Sequence, residues 1–328
     1  MKSLIHLPAA CVVLVTALLS EVWGLHIRAE TPLDGANRVP QGITKAKDGS
    51  VILDTTETIK TISGLKIRFR VSGPAGDFTP ASKVPGGGKT GAGGTLGLNV
   101  LIHGDGGGSF FQMPNQGVNN NLAGVAVLSP DVNLRWGGGN NLTRPEGVAH
   151  AQAINDLIIQ ILPKYLSFNT SNVYITGVSA GSLLVSGFFV PAHIGNFAGN
   201  GVMLGCGAWE PQVEVSNESR AALTRTPIHY QSTQNDERIL QTLIPDTIKA
   251  YKQVVRDKGL KDGEIDALQT ADNTPNGGHC EFDGRGFDSG IQLIVDNYDA
   301  IMQGRDGAVP GIGNVLKGVA SHELKYPK

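Results

Sequence analysis

Val173-Tyr174-Ile175-Thr176-Gly177-Val178-Ser179-Ala180-Gly181-Ser182-Leu183-Leu184 runs a short apolar strand straight into an apolar helix through a serine flanked by glycines. Gly177-Val178-Ser179-Ala180-Gly181 has the spacing of a nucleophile elbow. The physics is steric. A serine in a sharp strand-to-helix turn takes strained backbone angles, and glycines without Cβ atoms let strand and helix approach closely. The turn pushes the Ser179 hydroxyl into the open, where a base can reach it. With 44 glycines in 328 residues the five-residue pattern alone carries little weight. The strand from Val173 to Thr176 and the apolar stretch from Ser182 to Val190 supply the context it needs.

Working outward, short apolar runs alternate with helical patterns. Toward the N-terminus, Leu98 to Ile102 and Gly124 to Leu128 read as buried strands, and residues 145–162 place Ile154, Leu157, Ile158 and Ile161 on one helix face. Pro163 should end or bend that helix. Toward the C-terminus come strands at Gly201 to Leu204 and Ile228 to Gln231. A helix over residues 237–258 follows, bent near Pro245 and ended by Gly259. Then come a weak strand near Ile265 to Gln269 and a last helix from Ser289 to Met302. Two β-like stretches, Val51 to Ile59 and Leu65 to Val71, precede all of this, joined by a Ser63-Gly64 turn. Continuous apolar strands alternating with helices predict an α/β protein, with a mostly parallel sheet covered on both faces.

Composition bounds the rest. The net charge is -2 and 40% of residues are apolar, which suits a large core and gives no basic excess for nucleic acid. Lys2 followed by the apolar run Ala9 to Leu19 and by Val22-Trp23-Gly24 reads as a secretory signal over residues 1–24, leaving 25–328 as one domain without a membrane span. Of three cysteines, Cys11 leaves with the signal, so Cys206 and Cys280 remain as an even pair in an oxidising compartment. Asn141, Asn169 and Asn217 head glycosylation sequons. The expected protein is secreted. Gly88-Lys89-Thr90 imitates the end of a phosphate loop, but Lys83 stands where that loop needs glycine. No metal or nucleotide cofactor is expected.

Three further segments carry chemistry. His103-Gly104-Asp105-Gly106-Gly107-Gly108 ends the Leu98 strand, and a Gly-rich loop there lets backbone N–H groups approach a developing oxyanion. Asp105 or Gly106 would give one donor and Ala180 the other; His103 reads as a structural histidine. Ser232-Thr233-Gln234-Asn235-Asp236-Glu237 lies beyond the Ile228 strand. There Asp236 is the orienting acid, with helix capping as its other reading and Glu237 and Glu210 as fallback acids. Gly277-Gly278-His279-Cys280 follows the last predicted strand and offers the base. His150 lies on a helix, His193 in a loop after Pro191, His229 inside a strand, and His26 and His322 near the termini.

With the order oxyanion loop, Ser179, Asp236, His279, the chain resembles the α/β-hydrolase superfamily from about Val51 to Met302. Its motifs look like those of secreted microbial esterases, including feruloyl-esterase and polyester-depolymerase relatives. The resemblance implies hydrolysis of carboxylic esters through an acyl-enzyme, on small or polymeric substrates. Asp105 departs from the His-Gly-Gly-Gly pattern of lipases, which leaves the donor open between Asp105 and Gly106. In this fold Cys206 and Cys280 would both lie on the catalytic edge, which predicts a disulfide pinning the histidine loop. The residues between Cys206 and Pro227 are too few for a large cap. An open site follows, partly roofed by residues 131–141, where Trp136 either faces substrate or anchors the loop. The same three side chains would also serve a peptidase or an acyltransferase, and a non-catalytic binding protein on this scaffold is the remaining alternative.

Overall fold

The computed structural model describes residues 30–46, 48–62, 64–88, 94–112, 121–197, 201–283 and 286–302, with short pieces at 308–309, 313–314, 316–317 and residue 324. The expected secretory signal, Ser63, Lys89-Thr90, His26 and His322 lie outside the described residues.

A 10-stranded sheet carries the architecture. Its strands are β1 (Gly42–Lys45), β2 (Val51–Ile59), β3 (Leu65–Gly73), β4 (Gly97–Ile102), β5 (Leu122–Val127), β6 (Val173–Val178), β7 (Val202–Gly205), β8 (Ile228–Gln231) and β9 (Gln269–Asp272), with Leu316–Lys317 at the far edge. The spatial order is β1-β2-β3-β5-β4-β6-β7-β8-β9, then the edge strand. Every pair from β5 through β9 is parallel, while β1, β2, β3 and Leu316–Lys317 pair antiparallel. The C-terminal ends of β4, β6, β8 and β9 therefore lie along one rim.

Strand alternation sends side chains to two cores. Val100 and Ile102 face a larger core with Ile175, Ile154, Leu184 and Ile248, whereas Leu101 and Met203 face a second core with Ile294 and Tyr298. The first is covered by α2 (Gly147–Asp156), α3 (Ala180–Leu184) and α6 (Arg238–Arg256). The second is covered by α1 (Pro32–Arg38), α8 (Phe287–Asp296) and α9 (Tyr298–Met302). Burying each large aliphatic side chain is worth about 1.5–3 kcal/mol, so helices on both faces are what keep β4 and β6 dry. The expected mostly parallel sheet with two covered faces is what forms. Among the described residues no helix is long and apolar enough to cross a membrane.

Pro163 ends its helix as expected, whereas the apolar stretch from Ser182 to Val190 continues as helix through Pro191. A π-helical turn, Leu157–Ile161, follows α2 and precedes Pro163; a second, Val185–Phe189, follows α3 and runs on through Pro191 into α4 (Val190–His193). A widened turn accommodates a ring that has no N–H to give and that would collide with the preceding turn. The strand expected near Ile265 is a helix, α7 (Asp262–Leu268), with β9 starting only at Gln269. The Glu264 side chain accepts the Lys261 N–H at 2.8 Å, and Asp262 and Glu264 sit at the positive helix end, which favours helix over strand. The final helix breaks at Asn297 into α8 and α9. Between Cys206 and Pro227 the chain forms only the short helix α5 (Asn217–Leu223), with no large cap.

Candidate active site

Ser179 takes φ 52° and ψ -120° between β6 and α3, a left-handed conformation unusual for a residue with a Cβ. Its N–H is held by the Gly205 carbonyl at 2.8 Å. A Cβ on Gly177 would come within 2.6 Å of Ser182 Cα, and one on Gly181 would drive into the Ile102 carbonyl. Both flanking glycines are therefore sterically required.

The half-buried Ser179 hydroxyl donates to His279 Nε2 at 2.8 Å, and His279 Nδ1 donates to Asp236 Oδ1 at 2.6 Å. Asp236 is 3% exposed. Its Oδ2 accepts from the Ser232 hydroxyl at 2.8 Å, and its Oδ1 also accepts the Glu237 N–H at the start of α6, again at 2.8 Å. The orienting contact to His279 is present, whereas the capping reading is not realised: Glu237 holds the N-cap position and the helix has no side-chain cap. Glu210 does not line the cavity; Glu237 does.

The loop after β4 lies against the elbow, since a Cβ on Gly104 would stand 3.2 Å from Ser179 Cβ. Gly106 is corrected as an oxyanion donor: its N–H is already given to the Leu134 carbonyl at 3.2 Å. The Asp105 N–H has no acceptor among the described residues, and the Ala180 N–H, first in its helix, has none within the helix. The Asp105 side chain is held by Arg144, whose Nη1 and Nη2 reach its two oxygens at 3.1 and 3.0 Å.

His103 is a structural residue. Its ring is 1% exposed, Nδ1 donates to the Gly104 carbonyl, and Nε2 accepts the Ser129 N–H at 2.9 Å. Burial pushes its pKa down to about 4, helped back only slightly by Gly104 and Asp105. Trp136 does not face substrate. It is fully buried between the His103 and His150 rings, with centroids 5.3 and 5.9 Å away, and anchors its loop. Asn141, the last residue of the segment expected to roof the site, lines the cavity together with Leu142.

For His279, burial disfavours the charged ring, but the Asp236 hydrogen bond and charge, with a further contribution from Glu237, outweigh it and raise the pKa above 6.5. A cavity of about 600 Å³ opens over Ser179. Leu142, Leu183, Ile239 and Leu240 form an apolar wall, and Asp105, Arg144 and Glu237 supply charge. Cys206, just beyond β7, is disulfide-bonded to Cys280, the neighbour of His279, with a Cα–Cα distance of 5.1 Å. Cys206, His279 and Cys280 place their donor atoms within 4.8 Å of one another, but joined sulfurs are no longer thiolates for a metal.

The strand order crosses over at β3-β5-β4-β6, and the strained serine turn sits at the C-terminal end of the central strand β6. The chain has the α/β-hydrolase fold. No protein-family model and no curated protein matches it. Among solved structures it is similar to a thermostable esterase, at 15% identity and TM-score 0.49 over 76% of this chain and 61% of that one. It is similar to an acylaminoacyl peptidase of Pyrococcus horikoshii, at 11% identity and TM-score 0.45 over 78% of this chain and 42% of that one. A ferulic acid esterase aligns at 13% identity and TM-score 0.43, over 77% and 98%. The chain thus spans less than two thirds of the first two structures. Its fold assignment rests on its own strand order and serine turn.

Within this hydrolase fold, three contributors escape sequence reading. Ser232 holds the second oxygen of Asp236, Arg144 holds Asp105, and Ile239 stands half exposed on the cavity wall. Ser232 lies four residues before Asp236 and a hydroxyl there is a usable signal. Arg144 lies 39 residues from Asp105, and nothing in the sequence links them.

Proposed function

We propose that the protein is an extracellular serine hydrolase that cleaves carboxylic esters, with Ser179 as nucleophile, His279 as base and Asp236 as the acid that orients it. The observation that carries this reading is the unbroken hydrogen-bond chain from the Ser179 hydroxyl through both ring nitrogens of His279 to Asp236. His279 Nε2 takes the Ser179 proton as the oxygen attacks the ester carbonyl. The tetrahedral oxyanion is met by the Asp105 and Ala180 N–H groups. His279 returns the proton to the departing alcohol, leaving an acyl-Ser179 ester. Water, deprotonated by the same ring, then attacks that ester and releases the acid. Asp236 Oδ1 holds the Nδ1–H tautomer of the ring.

The leader-like residues 1–24 and the buried Cys206–Cys280 disulfide support an extracellular location. The sequon residues Asn141, Asn169 and Asn217 are all exposed and are proposed as glycosylated there. The cavity of about 600 Å³ over Ser179, with no large cap between Cys206 and Pro227, supports bulky or polymeric esters among the substrates.

The test is a panel of aryl esters and peptide anilides, with a fluorophosphonate probe on the same samples. Wild type should hydrolyse esters and be labelled. Ser179→Ala should lose labelling and about 10⁶-fold in kcat, the loss seen when a triad serine is removed. Turnover of anilides above esters would replace the ester reading with a peptidase. An unlabelled wild type without turnover would end it.

A further inference from the structure

We propose that Arg144 is a positioning residue for the oxyanion hole: its paired grip on the Asp105 carboxylate aims the Asp105 N–H at the reacting carbonyl and cancels a negative charge beside the oxyanion. The proposal rests on the hydrolase reading above and goes beyond it to a residue outside the Ser179–His279–Asp236 chain.

The loop from His103 to Gly107 should be poorly fixed by its own sequence. Gly106 and Gly107 both sit at positive φ, 83° and 73°, which glycine adopts at little cost and also leaves readily. Hydrogen bonds hold its two ends: the His103 ring with the Gly104 carbonyl and Ser129 N–H, and the Gly106 N–H with the Leu134 carbonyl. Asp105 lies between these anchors, and its N–H is the one left for substrate. The Gly107 N–H on the Gly104 carbonyl, at 3.2 Å, closes a turn around Asp105, and the Asp105 side chain adds the second hold, gripped through both oxygens.

The grip is itself built. Arg144 is 4% exposed at its side chain, against 37% for Asp105, so the charge pair meets solvent only on the Asp105 side. Nη1 also donates to the Trp136 carbonyl at 3.1 Å, and Trp136 is wedged between two buried histidine rings. A planar guanidinium forked onto a carboxylate sets orientation as well as distance, which a lysine does not do. The electrostatic half follows from placement. Asp105 lines the same cavity as Ser179 and His279, so its carboxylate repels the negative charge that grows on the carbonyl oxygen. Arg144 offsets that repulsion, and losing it leaves the Asp105 carboxylate unpaired beside the reacting carbonyl.

The experiment uses the mature secreted protein and one small neutral aryl ester, with Arg144→Gln, Asp105→Asn and the double variant. Ground-state binding is read from KM. Oxyanion binding is read from inhibition by a trifluoromethyl ketone, which forms a tetrahedral adduct with the serine. Arg144→Gln should lower kcat by about 10- to 100-fold with KM within about twofold, since losing one donor outright costs about 10²–10³ in kcat. Ketone affinity should fall in parallel. The double variant, without the unpaired carboxylate, should recover part of the loss. An Arg144→Gln variant with kcat within twofold of wild type, or with a changed KM alone, overturns the proposal, and so does a double variant no better than Arg144→Gln. If Arg144→Gln does not fold, Arg144→Lys decides. Charge without the fork should still cost several-fold in kcat, and full wild-type kcat there refutes the positioning role. Wild type that fails to turn over any ester would instead count against the hydrolase reading itself, which separates the two failures.

Discussion

In the proposed mechanism, His279 is where protonation governs rate. As a general base it must be neutral, and its pKa stands above 6.5 because the Asp236 hydrogen bond and charge, with Glu237, overcome the burial of the ring. Activity should therefore rise with pH through a limb above 6.5 rather than at it. Glu237 is exposed, touches neither Ser179 nor the ring through a hydrogen bond, and acts only by its charge. Glu237→Gln should move the acid limb of kcat/KM to lower pH, by less at high salt, where an exposed charge is screened. A pH profile at two ionic strengths checks this; an unmoved limb would remove Glu237 from the account. At this scale the sequence was informative wherever chemistry coincides with a strand end. Ser179, Asp236 and His279 each follow a strand of the parallel set and meet within 2.8 Å steps. It left Trp136 open between facing substrate and anchoring the loop, and it was silent on Arg144, which finds Asp105 through a loop whose course no local pattern dictates.

The elbow is an element-level device, because its geometry is set by how closely β6 and α3 cross β4. Gly181→Ala should fail to form the turn, since the new methyl meets the Ile102 backbone carbonyl rather than a movable side chain. The expected result is loss of soluble, probe-reactive protein, measured by expression and fluorophosphonate labelling. The disulfide is the second such device. It joins the end of β7 to the loop carrying His279 across 74 residues. Replacing both cysteines by serine should lower the urea midpoint, with at most about 4.5 kcal/mol lost in the chain-entropy view. Reading elements from sequence succeeded for the strands, β2 and β8 to the residue. It failed at Ile265, where capping by Glu264 outweighs a short apolar run, and at α1, whose Thr31–Asp34 capping box stood unread.

Across the whole molecule, three buried histidines set the acid limit. Burial drives His103, His150 and His229 each to about 4. Unfolded, each would bind a proton near 6.5, so the unfolded state gains protons first as pH falls. Stability should start to drop below about pH 6.5 and keep dropping toward 4, by several kcal/mol at roughly 1.4 kcal/mol per unit and residue. His279 and buried Asp272, both raised, work in the opposite direction but are fewer. Urea midpoints at pH 7.5 and 5 would show it, and His229→Gln should flatten the dependence. The mostly parallel sheet and its two covered faces were legible because alternation and apolar length are global signals; the path of residues 131–146 was not, because it is fixed by contacts with distant loops. The Cys206–Cys280 bond also closes β8, α6 and β9 into a covalent ring that contains Asp236 and His279. A protease that nicks one exposed turn inside that ring would open it without setting either piece free, so the molecule can be cut once there and keep Asp236 and His279 on one connected strand of matter.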